Sequence, residues 1–205
     1  MLNPDTSPCL LVVEGQDDEH VIRHLRQRNM PMPEFGIVSR NSVSELLSAI
    51  EADVLAPGRT ALGILVDADG DVGSRWQAVA DRLRRVNIEA PQAPDPSGTV
   101  IEKSSPRIGV WLMPNNEAPG EIEDFVAGMI PESDPVWPRS QAYVDGIPVT
   151  DRKLASGKIL RAKVHSWLAT REAPRMMGAA IRARDLSRDA PDAVRLVGWL
   201  RRLFS

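Results

Sequence analysis

LGILVDADGD, residues 62–71, decides how the rest of the chain is read. The apolar run of six from Ala61 to Val66 shows no helical period and is too short for a buried helix, so it is a strand covered on both faces. Three acids in five residues follow, Asp67, Asp69 and Asp71. A parallel strand delivers such residues to the carboxyl edge of its sheet, where open α/β folds place ligands. Carboxylates this dense repel one another, and a hard divalent cation with oxygen ligands relieves the repulsion, so the expectation is a Mg²⁺ (or Mn²⁺) site.

Three other patterns share these acids. A calcium EF-hand loop counted from Asp67 needs Gly at its sixth position and Glu at its twelfth, where this chain has Val72 and Ala78. A phosphoryl-aspartate hydrolase also uses D-x-D-G, but on its first strand, whereas another acidic strand end precedes this one. A plain polar turn capping the next helix is the structural alternative, since Asp favours turns and caps.

Outward from this strand, the pattern repeats. Leu10 to Val13 is a short apolar strand that runs into Glu14-Gly15-Gln16-Asp17-Asp18, with Glu14 at the strand end and Asp17 or Asp18 capping a helix that turns Val21, Ile22 and Leu25 inward. Phe35 to Ser39 is a weaker strand. The capping box Ser42-x-x-Glu45 opens a helix with Val43, Leu46, Leu47, Ile50 and Val54 on one face, closed by Pro57-Gly58. After the acidic strand, Ser74-x-x-Gln77 is expected to open a third helix burying Trp76, Val79, Ala80 and Leu83. A proline-rich loop over 90–97 precedes a fourth strand, Ile108 to Met113. The alternation predicts an α/β fold: a four-stranded, mainly parallel sheet in three layers, flanked by helices on both faces. In EIEDFVAGM, residues 121–129, Ile122, Phe125, Val126 and Met129 form the buried stripe, Glu121 and Glu123 flank it, and Asp124 faces away.

VEGQDD (Val13 to Asp18) followed downstream by the strand-borne DADGD (Asp67 to Asp71) resembles the Toprim domain shared by topoisomerases, bacterial-type primases, recombination mediators, ribosomal RNA maturation nucleases and the overcoming-lysogenization-defect (OLD) nucleases. The likeness covers about residues 8 to 130. The stretches MPNN (Met113 to Asn116), GEIED (Gly120 to Asp124) and KILRAKVHSWLA (Lys158 to Ala169) look like a family of small standalone Toprim proteins related to the OLD nuclease domain. A topoisomerase needs a nucleophilic tyrosine on a separate large domain, and Tyr143 is the lone tyrosine; primases and recombination mediators need zinc clusters that one cysteine, Cys9, does not supply. A hydrolytic Toprim nuclease needs only water and metal. The resemblance implies Glu14 as metal ligand or general base, Asp67 and Asp69 as ligands with Asp71 supporting them, and Asp18 with Glu123 completing a second metal position. The motif leaves Asp17 and Asp18 as alternatives for that place. Lys163 is the expected catalytic lysine, with Lys158 as the other candidate; Lys158 and Arg161 are expected to hold nucleic-acid phosphates.

Beyond about residue 130 the reading is a loop with Pro131, Pro135 and Pro138, a small hairpin turning at Asp145-Gly146, and three helices around 159–170, 176–183 and 193–204. Residues 1–130 are thus read as the Toprim-like domain and 131–205 as a loop and helical extension packed on it. Residues 152–205 hold 13 Lys+Arg against 4 Asp+Glu, while 1–151 hold 12 against 24. An acidic region beside a basic one suits a polyanionic substrate, DNA or RNA. His20, His24 and His165 read as surface or packing residues. A single cysteine, an amino terminus MLNPDTSP without a targeting pattern and no apolar run near ~18 residues point to a cytoplasmic protein with no membrane span. The functional expectation is a metal-dependent nuclease, in phage defence if the OLD kinship holds, with a homodimer or a partner ATPase as companions. The alternative is a binding module that keeps the fold and has lost turnover.

Overall fold

The computed structural model describes residues 6–205; Met1 to Asp5, part of the amino terminus read for a targeting pattern, lie outside the described residues. Five strands form one sheet in the order β2-β1-β3-β5-β4, with β1 (Cys9–Val13), β2 (Gly36–Ser39), β3 (Ala61–Asp67) and β5 (Arg107–Met113) parallel, and β4 (Thr99–Ile101) antiparallel to β5 on one edge. The expected four strands are therefore four of five. The extra strand is three residues long and sits among prolines, serines and a glycine, too short to show a period of two.

Alternation along the strands divides the core into two. Leu10, Val12, Leu62, Ile64, Val66, Ile108, Val110 and Leu112 face α2 (Val43–Leu55) and α3 (Val72–Arg84), which bring Leu46, Ile50, Trp76, Val79 and Leu83. Leu11, Val13, Leu65, Trp111 and Met113 face the other layer: α1 (Gln16–Arg28), α4 (Ile122–Gly128) and α8 (Pro191–Phe204), backed by α6 (Ile159–Ala169) and α7 (Met177–Ala183). The result is a mainly parallel α/β sheet between two helical layers with a C-terminal helical extension. Among the described residues no helix is long and apolar enough to cross a membrane.

Glycines admit α8 to the sheet. A Cβ on Gly109 would run into Leu203, one on Gly63 into Leu11 and then Leu203, and one on Gly98, where φ is +90°, into the Trp199 ring. Trp199 Nε1 donates to the Thr99 carbonyl at 3.0 Å, and Phe204 stacks on Phe35 with ring centroids 4.3 Å apart.

Two helices begin elsewhere than the local pattern suggests. The hairpin expected at Asp145-Gly146 is instead the end of a helix, α5 (Trp137–Asp145), because the Asp134 carboxylate accepts from the Val136 and Trp137 amides, both at 2.8 Å, and Pro138 suits the first turn. The third helix opens at Asp71 and not at Ser74: Asp71 Oδ1 accepts from the Ser74 amide at 2.5 Å. Ser42 caps α2 as expected, accepting from the Glu45 amide at 3.2 Å.

Candidate metal centre

Parallel pairing in register, Val13 beside Leu65 and Asp67 beside Met113, carries the ends of β1, β3 and β5 to one rim of the sheet. Glu14, first residue after β1, reaches across so that its Oε2 accepts from the Asp67 amide at 3.4 Å. Asp18, in the first turn of α1, folds back so that its Oδ2 accepts from the Gly15 amide at 3.1 Å, as a helix opening demands. Asp18 is 4% exposed, and its other oxygen, Oδ1, is buried without a hydrogen-bond partner; Asp67 Oδ1 is in the same condition. Of the two alternatives in the first motif, Asp18 is buried and Asp17 is half-buried.

Burial and crowding act together on these acids. Burial pushes Asp67 up to about 9, and the charges of Asp18, Glu14, Glu121 and Glu123 add to the effect. Asp18 is pushed up to about 7, by burial first and the Glu14 charge second. Glu14 is raised by burial against the opposing hydrogen bond from Asp67, with Asp69 raising it further. Burial likewise raises Glu123, which is 3% exposed, although the Arg161 guanidinium pulls it down.

The remaining candidates are placed differently. Asp69 has a left-handed backbone, φ +52°, and trades two hydrogen bonds with Gly120, of 2.9 and 2.8 Å, which clip the DADGD turn to the loop before α4. Its carboxylate is paired with Arg75 of α3. Asp71 is the exposed cap of α3, and its bonds to Ser74 hold its carboxyl below the ordinary range. Glu123 Oε1 lies 3.1 Å from Arg161 Nε, and Lys158 is bonded to Glu121 at the start of α4. These residues line a cleft of about 350 Å³ with Asp69, Gly70, Pro119, Gly120, Asp124 and Leu160. Lys163 does not line that cleft: its Nζ pairs with Asp145 at 2.9 Å. Asp124 does not face away; its Oδ2 accepts from the Glu121 amide at 2.8 Å and packs where a Cβ on Gly120 would lie.

Glu121 and Arg75 join the candidate site as the partners of Lys158 and Asp69. The Glu121 carboxylate is visible in GEIED as a flank of the α4 stripe, but its partner Lys158 lies far along the chain; Arg75 carries no signal of its own, since the folded DADGD turn is what brings Asp69 to it. The MPNN stretch builds a turn: Asn116 Oδ1 accepts from the Leu112 amide, and Asn115 Oδ1 from the Glu117 and Ala118 amides.

The donors at the rim are all carboxylate oxygens, two of them buried and partnerless, the donor chemistry that suits Mg²⁺ or Mn²⁺. Among the described residues no three His, Cys, Asp or Glu side chains are drawn together into a ready cage for a metal ion. The fit is therefore one of donor type and orphaned oxygens.

Fold and site define a mainly parallel α/β protein with a carboxylate-rich rim at the strand ends. The chain belongs to the family described as protein of unknown function (DUF3226), whose model matches residues 8–205. No curated protein and no solved structure matches it.

Proposed function

We propose that this chain is a cytoplasmic, Mg²⁺- or Mn²⁺-dependent phosphodiesterase of the Toprim type that hydrolyses DNA or RNA, kin to the OLD nucleases and, with a partner ATPase or a second copy, suited to defence against phage. One observation carries the reading: acids from two strands and a helix, Asp67, Glu14 and Asp18, share one rim, and Asp67 and Asp18 each hold a buried oxygen with no partner. An uncompensated acidic cluster costs stability, so its presence is best accounted for by a cation that uses it. When bound, the cation would neutralise charge developing on a phosphate.

The protein's own groups would do the rest. Glu14, raised by burial, would hold or accept a proton beside Asp67. Lys158 and Arg161 flank the cleft and would exchange Glu121 and Glu123 for substrate phosphates. The Asp69–Gly120 clip fixes the loop between them.

A second reading, a binding module without turnover, is favoured by the Asp69–Arg75 pair, which occupies one expected ligand. The two are separated by calorimetric titration with Mn²⁺ and a cleavage panel of single-stranded DNA, duplex DNA and RNA. The nuclease reading expects Mn²⁺ binding and cleavage in the wild type, both lost in Glu14→Ala and Asp67→Ala while the far-ultraviolet spectrum stays native. Nucleic-acid binding that survives both substitutions, with no metal uptake and no cleavage, would establish the module instead.

A further inference from the structure

α1 carries two histidines one turn apart, His20 and His24, on the side of the helix that lines the cleft beside β2. They touch one another directly. Their Nε2 atoms stand 3.0 Å apart, with the rings at 80° to one another. His24 is buried, 7% exposed, and its Nδ1 is 3.0 Å from Gln27 Oε1. An amide oxygen only accepts, so Nδ1 carries the proton and the Nε2 lone pair of His24 is turned toward His20. His20 is held from behind: a Cβ on Gly178 of α7 would lie 2.8 Å from His20 Nδ1 and 2.5 Å from its backbone carbonyl oxygen. Two imidazoles are thus fixed with their Nε2 atoms converging, one through a second partner that sets its tautomer, as metal-ligating histidines are.

The geometry points to a transition-metal site at His20 and His24, distinct from the acidic rim and taking a tetragonal ion, Cu²⁺ or Ni²⁺. With an imidazole–metal bond of about 2.1 Å, nitrogens 3.0 Å apart subtend an angle of about 90° at the ion. That is the cis angle of a square-planar or octahedral centre and is tighter than a tetrahedral zinc site prefers. On binding, the His20 proton moves from Nε2 to Nδ1 and both rings remain neutral. The pair opens on a cleft of about 880 Å³ between α1 and the edge strand β2, whose lining includes Gln16 and Asn41, amide oxygens that with water can fill the remaining positions. Arg23, in the same cleft, is neutralised by its pair with Glu19.

The test is titration of the full chain with CuCl₂ and NiCl₂ in saturating Mg²⁺, with electron paramagnetic resonance of the Cu²⁺ form. One equivalent of Cu²⁺ coordinated by two imidazole nitrogens is expected. His20→Ala and His24→Ala each weaken binding at least ~10-fold and remove one nitrogen from the spectrum, and Gln27→Leu weakens it ~10-fold with both nitrogens kept. Asp67→Asn leaves it unchanged. Should His24→Ala fail to fold by circular dichroism, the more exposed His20→Ala carries the comparison. No Cu²⁺ bound by the wild type, undiminished binding in folded His20→Ala, or loss of binding in Asp67→Asn would overturn the assignment.

Discussion

Asp67 concentrates the tension of the site in one side chain. In the unfolded chain it titrates near the ordinary 3.8, and in the fold near 9. Between those limits the folded protein holds the extra proton, so the associated stability is fully present at the acid end and is lost as pH rises toward 9. Asp67→Asn removes the charge and keeps the shape, and is expected to raise the melting temperature of metal-free protein at pH 8, by ~2–4 °C for each kcal/mol of repulsion relieved; the gain should vanish near pH 4. Mg²⁺ should reverse the order by stabilising the wild type alone. Equal melts across the range would show the repulsion to be absent. Asp71 makes the contrasting case. It was legible as part of an acid cluster, but not as the member that caps a helix, because DADGD alone does not say where the next helix starts. Asp71→Ala is expected to lower the denaturation midpoint through loss of the α3 cap and to leave Mn²⁺ uptake within about twofold, whereas a ligand would lose it.

At the level of elements, the sequence carried most where a signal is repeated. Four parallel strands and the buried faces of α2 and α3 could be read because an apolar run or a 3.6-residue stripe states the same thing several times. β4 and α5 could not, since each depends on something distant or single: β4 on pairing with β5, α5 on one carboxylate, Asp134, reaching two amides. The seating of α8 was equally silent, as only the folded sheet brings Gly63 and Gly109 under Leu203. Gly109→Ala is expected to force Leu203 off its seat at a cost of roughly 1–3 kcal/mol, visible as a lower denaturation midpoint. Unchanged stability would mean that α8 slides without penalty.

Across the whole molecule, the basic excess after residue 151 is spent largely on the fold. Arg201 donates to the Asn29 carbonyl, Arg202 to those of Ser97 and Gly98, and Arg152 to those of Asp145 and Ile147, while Arg171 and Arg175 pair with Asp134 and Asp185. A charge count shows how many cations a region holds and not which ones face a ligand. Lys158 and Arg161 do line the cleft. Lys158→Ala or Arg161→Ala should therefore weaken nucleic-acid binding and lower the dependence of log K on log salt by about 1, while Arg202→Ala should lower stability with the salt slope intact. A slope unchanged in both cleft variants would count against the proposed nucleic-acid contact at this cleft.

One helical layer, α2 with α3, is supplied from within the first ninety or so residues, but the opposite layer leans on α8, whose Trp199, Leu200, Leu203 and Phe204 are buried in the same core cluster as Leu11, Leu65 and Trp111. A polypeptide stopped near residue 130 would present that apolar plane bare to water, an area on which other half-made chains adhere. Such a fragment should collect in inclusion bodies, and supplying residues 185–205 as a separate peptide during refolding should bring it back into solution.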